Sequence, residues 1–198
     1  MNDNVTPDTP RGTFRERLLV GLAASIAERG FTATTIADIV REAQTSRRTF
    51  YAEFATREDC YVELLRVTNE ALAQRITDGV DPDAVWNTQV RQAVDAYVDI
   101  ASSERHLTLT WIRELPALGS LGYDVQKAAT DTMVDLVVVL SRGQQFAEAE
   151  IPPLTLPQGR LLIGGIRELT ARTLEDGEDL VTLRATISQT AIALLAGR

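Results

Sequence analysis

The stretch TSRRTFYAEF, residues 45–54, packs two adjacent arginines, a tyrosine and two phenylalanines into ten positions. Phe50 and Phe54 stand four apart and so share one face of a helix. With that pair set inward and about 100° allowed per residue, Arg48, Ala52, Thr45 and Thr49 fall on the opposite side and Tyr51 at the flank. The outward face is cationic, hydroxylic and small. It suits the major groove of DNA, where an arginine fork reaches guanine O6 and N7, threonine offers a hydroxyl or methyl to base edges, and alanine permits close approach. Two arginines on an exposed helix are also commonly just a solvated face, so the flanking sequence has to decide.

Working outward, the pattern is helical nearly throughout. Phe14, Leu18, Leu22 and Ile26 recur every fourth residue and end at Arg29-Gly30, which predicts a first helix over 13–29. Ile36, Ile39, Val40 and Ala43 follow at helical spacing, opened by Thr35 with Asp38 three residues on, a capping-box arrangement. After a turn at about 43–46, Thr45 is placed to cap the short helix quoted above, and Thr56 with Asp59 to cap a longer fourth helix. Two short helices joined by a tight turn form a helix-turn-helix, whose second helix enters the major groove. Arg47, Tyr51 and Arg57 then stand where phosphates would lie, and helix N-terminal amides add fixed donors.

The composition frames this reading. The chain has 198 residues, 44% hydrophobic and 24% charged, an ordinary globular balance. Its formal charge of −8 by itself disfavours a nucleic-acid partner, since affinity for DNA comes largely from cations neutralising phosphates. The average conceals an asymmetry: residues 1–60 hold eight arginines against nine acids, and residues 61–198 twelve cations against nineteen. One cysteine, Cys60, excludes a disulfide framework and a Cys-rich zinc site, and reads as a small buried helix residue; no metal and no cofactor is expected. The first residues, polar with two prolines, lack the order of a signal peptide and read as a disordered tail over 1–12. No apolar run approaches the roughly 18 residues of a membrane span, so a cytoplasmic location with no membrane partner is expected. There is no GxSxG, P-loop, GxGxxG or HExxH, and the one His and one Cys lie in different elements, so no enzyme is expected.

Beyond residue 60 the helices lengthen. Tyr61, Leu64, Leu65, Leu72 and Ile76 stripe the fourth. Asp81-Pro82 is placed to start a fifth, with Trp86, Val90, Val94, Tyr97 and Ala101 on its buried face. Leu107, Trp111 and Leu115 predict a short helix stopped by Pro116, and LGSLG a connection to a helix over 123–142. Its LVVVL run would suit a strand, but embedded in helical sequence it reads as a helix apolar on most sides and therefore central. GQQFAEAEIPPLTLPQG, with three prolines, reads as a loop, and two last helices follow over 156–174 and 179–196.

The segment from Arg15 to Leu65 is similar to the DNA-binding domain of the TetR family of bacterial transcriptional regulators. The similarity rests on Glu28-Arg29-Gly30-Phe31, Thr34-Thr35-Ile36, Ile39, Glu42-Ala43, Ser46, Thr49-Phe50-Tyr51, Phe54 and the basic Arg57. It implies an all-α homodimer: an N-terminal three-helix helix-turn-helix domain over 13–60 and a larger C-terminal helical domain over 61–198 for ligand binding and dimerisation. The implied DNA-contacting set is Thr35, Ser46, Arg47, Arg48, Thr49, Tyr51 and Arg57, acting on double-stranded operator DNA. Where the family has a turn glycine this chain has Gln44, which would hold a left-handed backbone at a cost of about 1–2 kcal/mol. Glu53 stands where an aromatic or histidine is frequent and would repel a phosphate it faced.

The larger domain would hold a small-molecule effector, with Trp86, Tyr97, Trp111, Tyr123 and Met133 as candidate contacts. His106, the only histidine, could serve such a cavity as a polar handle or sit at a solvated helix start; the second is favoured. Leu183, Ile187, Ala191 and Leu194 stripe the last helix. Gly164 and Gly165 weaken the preceding one by about 1 kcal/mol each unless they permit close helix approach. Together with Leu161 and Gly165 that stripe predicts a two-fold dimer interface. The function implied is a ligand-responsive regulator, acting as a repressor, that binds palindromic DNA as a dimer and is released by its effector. The alternative is a helical sensing or protein-binding module that has lost DNA binding, favoured by the −8 charge, Gln44 and Glu53.

Overall fold

The computed structural model describes residues 12–197, all helix, turn and irregular backbone with no strand among them; the expected tail over 1–12 falls outside them apart from Gly12. The chain divides into two compact units, one ending at Leu64 and one beginning at Leu65.

In the first unit, α1 (Phe14–Ala33) opens on a capping box between Thr13 and Glu16. It breaks at Gly30, whose φ of 75° and ψ of 164° leave the helical region, so the regular helix ends where the sequence placed its stop. α2 (Ile36–Glu42) is capped by Thr35 and Asp38 reciprocally. α3 (Arg47–Glu53) follows, then α4 (Arg57–Gly79), with Thr56 and Asp59 exchanging the same pair of bonds at its start. Leu18, Leu22, Ile26, Ile39 and Phe50 are fully buried and make the three-helix core. α1 lies close on α2 at Gly21, where a Cβ would sit 2.7 Å from the Ile39 carbonyl oxygen and 2.8 Å from the Ala43 nitrogen. The first turns of α4 add Cys60 and Tyr61, both fully buried, which carries the unit four residues past the expected boundary at 60.

The cap of α3 is Ser46, not Thr45. Ser46 Oγ accepts the Thr49 N–H at 3.1 Å. Thr45 is unavailable because its own N–H closes the end of α2 on the Val40 carbonyl at 2.9 Å, while the Gln44 N–H bonds Arg41 at 3.1 Å. This pair of bonds is a Schellman motif, and its left-handed position, normally glycine, is Gln44 at φ 48°.

In the second unit, α5 (Trp86–Ser103), α6 (Arg105–Arg113), α7 (Gly119–Leu140), α8 (Gln144–Glu148), α9 (Leu156–Glu175) and α10 (Leu183–Ala196) pack with the rest of α4. Leu72 and Ile76 of α4 meet Met133 of α7. Val94 and Val98 of α5 meet Leu174 and Ile187 of α9 and α10. Several expected boundaries move. Asp81-Pro82 does not start α5: Asp81 accepts the Asp83 N–H at 3.0 Å in a local turn, and Gln89 Nε2 donates to the Pro82 and Ala84 carbonyls, so the helix waits until Trp86. LGSLG is not a connection but the first turn of α7. Gly122 allows this, since a Cβ there would fall 1.9 Å from the Leu115 carbonyl oxygen in the 3-10 turn Leu115–Leu118. The proline-rich stretch contains α8, pinned by fully packed Phe146. α7 is less enclosed than its sequence implied, with Val139 60% exposed.

Candidate nucleic-acid interface and ligand cavity

α3 presents Arg47, Arg48, Tyr51 and Ala52 to solvent and buries Phe50 and Phe54. Tyr51 is turned outward with its ring edge against Phe50, centroids 5.6 Å apart. Ser46 and Thr49 join their hydroxyls at 3.0 Å at the helix start, where N–H groups and small polar side chains suit a phosphate or a base edge.

What holds α3 in place is a set of arginines from elsewhere in the unit. Arg17 of α1 donates to the Ala43 carbonyl at 2.6 and 3.1 Å and to the Gln44 carbonyl at 2.6 Å, so its guanidinium clamps the turn between α2 and α3. Arg15 donates to the Glu53 carbonyl at 3.3 Å, pairs with Glu63 at 3.2 Å and lies 4.5 Å over the Phe54 ring. Arg29 and Arg41 both pair with Asp38 at 2.9 Å. The Thr35 hydroxyl and N–H also bond Asp38, and these bonds hold its carboxyl down at about 2, with Arg41 and Arg29 assisting. The Thr35 hydroxyl is therefore engaged within its own cap.

Arg57 is engaged within its own chain. Its guanidinium donates to the Thr34 carbonyl at 2.6 Å and the Phe31 carbonyl at 3.3 Å, pairs with Glu58 at 2.8 Å and sits 4.4 Å over the Phe31 ring. Phe31 stacks in turn on Tyr61 at 4.0 Å. These bonds join the link between α1 and α2 to the start of α4, and they occupy the group that was expected on a phosphate. Of the seven arginines among the described residues of this unit, only Arg47 and Arg48 lack an ion pair or hydrogen-bond partner.

The second unit encloses a cavity of about 160 Å³. Its walls are mainly apolar, from Leu72 and Ile76 of α4, Val94 of α5, Leu136 and Val137 of α7 and Ile163 of α9. Of the candidate effector contacts, Tyr97, Trp111 and Met133 line it; Trp86 and Tyr123 do not. Trp86 packs on Phe146, centroids 6.0 Å apart, and Tyr123 is 64% exposed on the outside of α7. The Tyr97 hydroxyl bonds Thr170 at 2.7 Å, and burial pushes its pKa up to about 12. His106 is exposed at the start of α6 and takes no part. Cys60, buried and with its thiol pushed up to about 12 by that burial, is a core residue.

Residues 18–64 match the profile of the bacterial regulatory proteins of the tetR family. This is a tetR-family domain. No curated protein matches the chain, but solved structures share its fold along nearly the whole length. The transcriptional regulator FadR of Bacillus subtilis, solved in complex with stearoyl-CoA, is 16% identical, with a TM-score of 0.76 over 92% of this chain and 98% of its own. The fatty acid degradation regulator FadR of Bacillus halodurans is 17% identical, with a TM-score of 0.74 over 96% and 98%. Reduced NemR of E. coli is 17% identical, at 0.69 over 88% and 95%. Identities this low establish a shared fold and nothing finer.

Within that fold the expected interface residues divide. Ile187 and Ala191 are 2% and 4% exposed and so are buried within their own chain, Ile187 against Val94 and Val98 of α5 and Ala191 in the lining of the cavity. Leu183 and Leu194 are half-buried. Leu161 is 72% exposed, and a Cβ on Gly164 or Gly165 would meet nothing within 4 Å, so α9 carries an open apolar and glycine face. Arg15 and Arg17, the clamps of the tetR-family domain, were missed in the sequence because their partners are main-chain carbonyls 26 or more residues away.

Proposed function

We propose that the chain is a ligand-responsive transcriptional repressor that binds palindromic operator DNA as a homodimer and is released by a small-molecule effector. The observation that carries this reading is the distribution of arginines: five of the seven in the described N-terminal unit are spent on its own backbone and carboxylates, and the two left unpaired stand side by side on the exposed face of α3. Arg48, with Thr49, reads base edges; Arg47, Ser46 and Tyr51 engage the backbone, and the first-turn amides of α2 that follow Thr35 add phosphate donors. Two copies place two such helices on half-sites one helical turn apart. The dimer forms through the exposed face of α9 around Leu161 and Gly165, with the half-buried Leu183 and Leu194 of α10 alongside. The effector occupies the cavity lined by Tyr97, Trp111 and Met133. It must bind a state whose recognition helices misfit the half-sites, and the release it achieves equals its differential affinity for the two states. The reading assigns the chain no catalytic step and a cytoplasmic location; no described helix is long and apolar enough to cross a membrane.

The test is fluorescence anisotropy of the full chain on the DNA upstream of its own gene, titrated with salt. The affinity should fall linearly in log salt with a slope of about −0.9 per phosphate contacted. Absence of binding at low salt would favour the module that has lost DNA binding.

A further inference from the structure

The cavity is not uniformly greasy. Asn69 of α4 is 6% exposed, and its side-chain oxygen has no hydrogen-bond partner. The indole N–H of Trp111 on α6 is buried and also has none. Both residues line the cavity, and a buried polar group left unmade costs free energy that a ligand can recover. The lining also holds Thr68, Gln89, Glu104, Thr108 and Ser141, and its one cation is Arg167 of α9, half-buried, whose hydrogen bond is to Thr130 Oγ1 at 3.3 Å. The carboxylate next to it in sequence, Glu168, is already taken by Arg113 at 2.9 Å and Arg172 at 2.8 Å. Arg167 is thus a cation in a mainly apolar wall with no salt bridge of its own among the described residues; burial, followed by repulsion from Arg113, lowers its pKa against the weaker attraction of Glu168.

Tryptophan and arginine only donate, and an Asn carboxamide turned about its last bond presents an NH2 in place of its oxygen. Glu104, also in the lining, is exposed at the end of α5, so the buried Trp111 and the half-buried Arg167, with Asn69 turned to donate, suit an acceptor with negative charge above walls that take an apolar body. Resting on the reading of this cavity as the effector site, we propose that it takes an apolar monocarboxylic acid, its carboxylate held by Arg167 with Trp111 and Asn69 as further donors. A dry cavity near 150 Å³ admits benzene, so 160 Å³ fits a body of about six to eight carbons.

The test is isothermal titration calorimetry of the full chain without DNA, using octanoate, 1-octanol and octylamine. Octanoate should bind at least about tenfold more tightly than 1-octanol, the advantage of a charged over a neutral hydrogen-bonded head, and octylamine most weakly. Arg167→Gln should remove that preference while still binding 1-octanol, which also shows that the variant is folded. Equal or tighter binding of 1-octanol or octylamine, an undiminished octanoate preference in Arg167→Gln, or failure of all three to bind would each overturn the proposal. Octanoate binding through Arg167 in a protein with no DNA affinity at low salt would support it while sinking the repressor reading.

Discussion

The guanidinium of Arg17 donates twice to the carbonyl oxygen of Ala43, at 2.6 and 3.1 Å, across 26 residues of chain. The same group reaches the Gln44 carbonyl, so it caps the end of α2 at a position where a non-glycine residue holds a left-handed backbone. A charged donor on carbonyls that the Schellman turn leaves pointing outward offsets the strain of Gln44. Arg17→Met keeps the apolar stem and removes the donors. It should destabilise the N-terminal unit by about 1–3 kcal/mol, read as a lower urea midpoint, and should weaken operator binding although Arg17 touches no DNA in this reading. Gln44→Gly in the same background should recover part of the stability.

Arg48 and Arg57 should separate cleanly. Arg48→Ala removes a base-reading fork and should cut the preference for operator over random DNA by about tenfold or more, with a smaller effect on random DNA. Arg47→Ala should weaken both alike and flatten the log–log salt slope by about 0.9. Arg57→Ala should instead lower the unfolding midpoint, because it strips donors from the Thr34 and Phe31 carbonyls and a cation from the Phe31 ring. Anisotropy on both DNAs, with chemical denaturation of each variant, tests all three; equal loss on both DNAs for Arg48→Ala would remove it from base reading.

These contrasts mark how much was legible in the sequence. Caps are local, and Thr35 with Asp38 and Thr56 with Asp59 were readable because three residues separate donor from acceptor. Ser46 was displaced by its neighbour Thr45 because choosing between two adjacent hydroxyls depends on which N–H the preceding helix consumes. The intrachain partners of Arg57 were not legible for a different reason: a basic residue at a helix start looks the same whether it faces a phosphate or the carbonyl of Thr34. In the larger unit, periodicity marked Tyr123 and Ile187 as apolar positions but could not say which neighbour each would meet, and the two landed on opposite sides of the expectation. Asn69 and Arg167 carry no local signal at all, since a cavity is defined by helices distant in sequence.

Asp38 sets an acid limit on the first unit. Its folded pKa is about 2, whereas a free Asp titrates near 3.9. Between those values the unfolded chain binds more protons, so stability rises with pH there. The contribution should be complete above about pH 4 and be lost as pH falls toward 2. Urea unfolding across pH 2–5 should show that slope, and Asp38→Asn should flatten it; an unchanged slope would mean that other carboxylates carry the transition.

Gly21 tests the closeness of α1 and α2 independently of charge. Gly21→Ala would ordinarily favour a helix, but here the added methyl meets backbone at 2.7–2.8 Å, which cannot rotate away. The substitution should cost about 1–3 kcal/mol by overpacking, measured as a fall in the urea midpoint, and a stabilised variant would show that the helices can separate freely.

The two kinds of apolar residue on the last helices predict opposite phenotypes. Leu161 is 72% exposed in a single chain while Ile187 is 2% exposed. An exposed leucine beside two glycines with open space above them gains little from its own chain, and in the proposed dimer a second copy buries it. Leu161→Arg should leave helical content and the urea midpoint of the isolated chain close to wild type, yet shift sedimentation velocity from dimer toward monomer. Operator affinity should then fall, since a single helix-turn-helix engages one half-site. Ile187→Ala should do the reverse: by opening a cavity between α10 and α5 it should cost about 2–4 kcal/mol in stability while the folded protein still sediments as a dimer. A Leu161→Arg protein that remains dimeric would place the interface on another face, and a monomeric but stable Ile187→Ala protein would return that residue to the subunit contact.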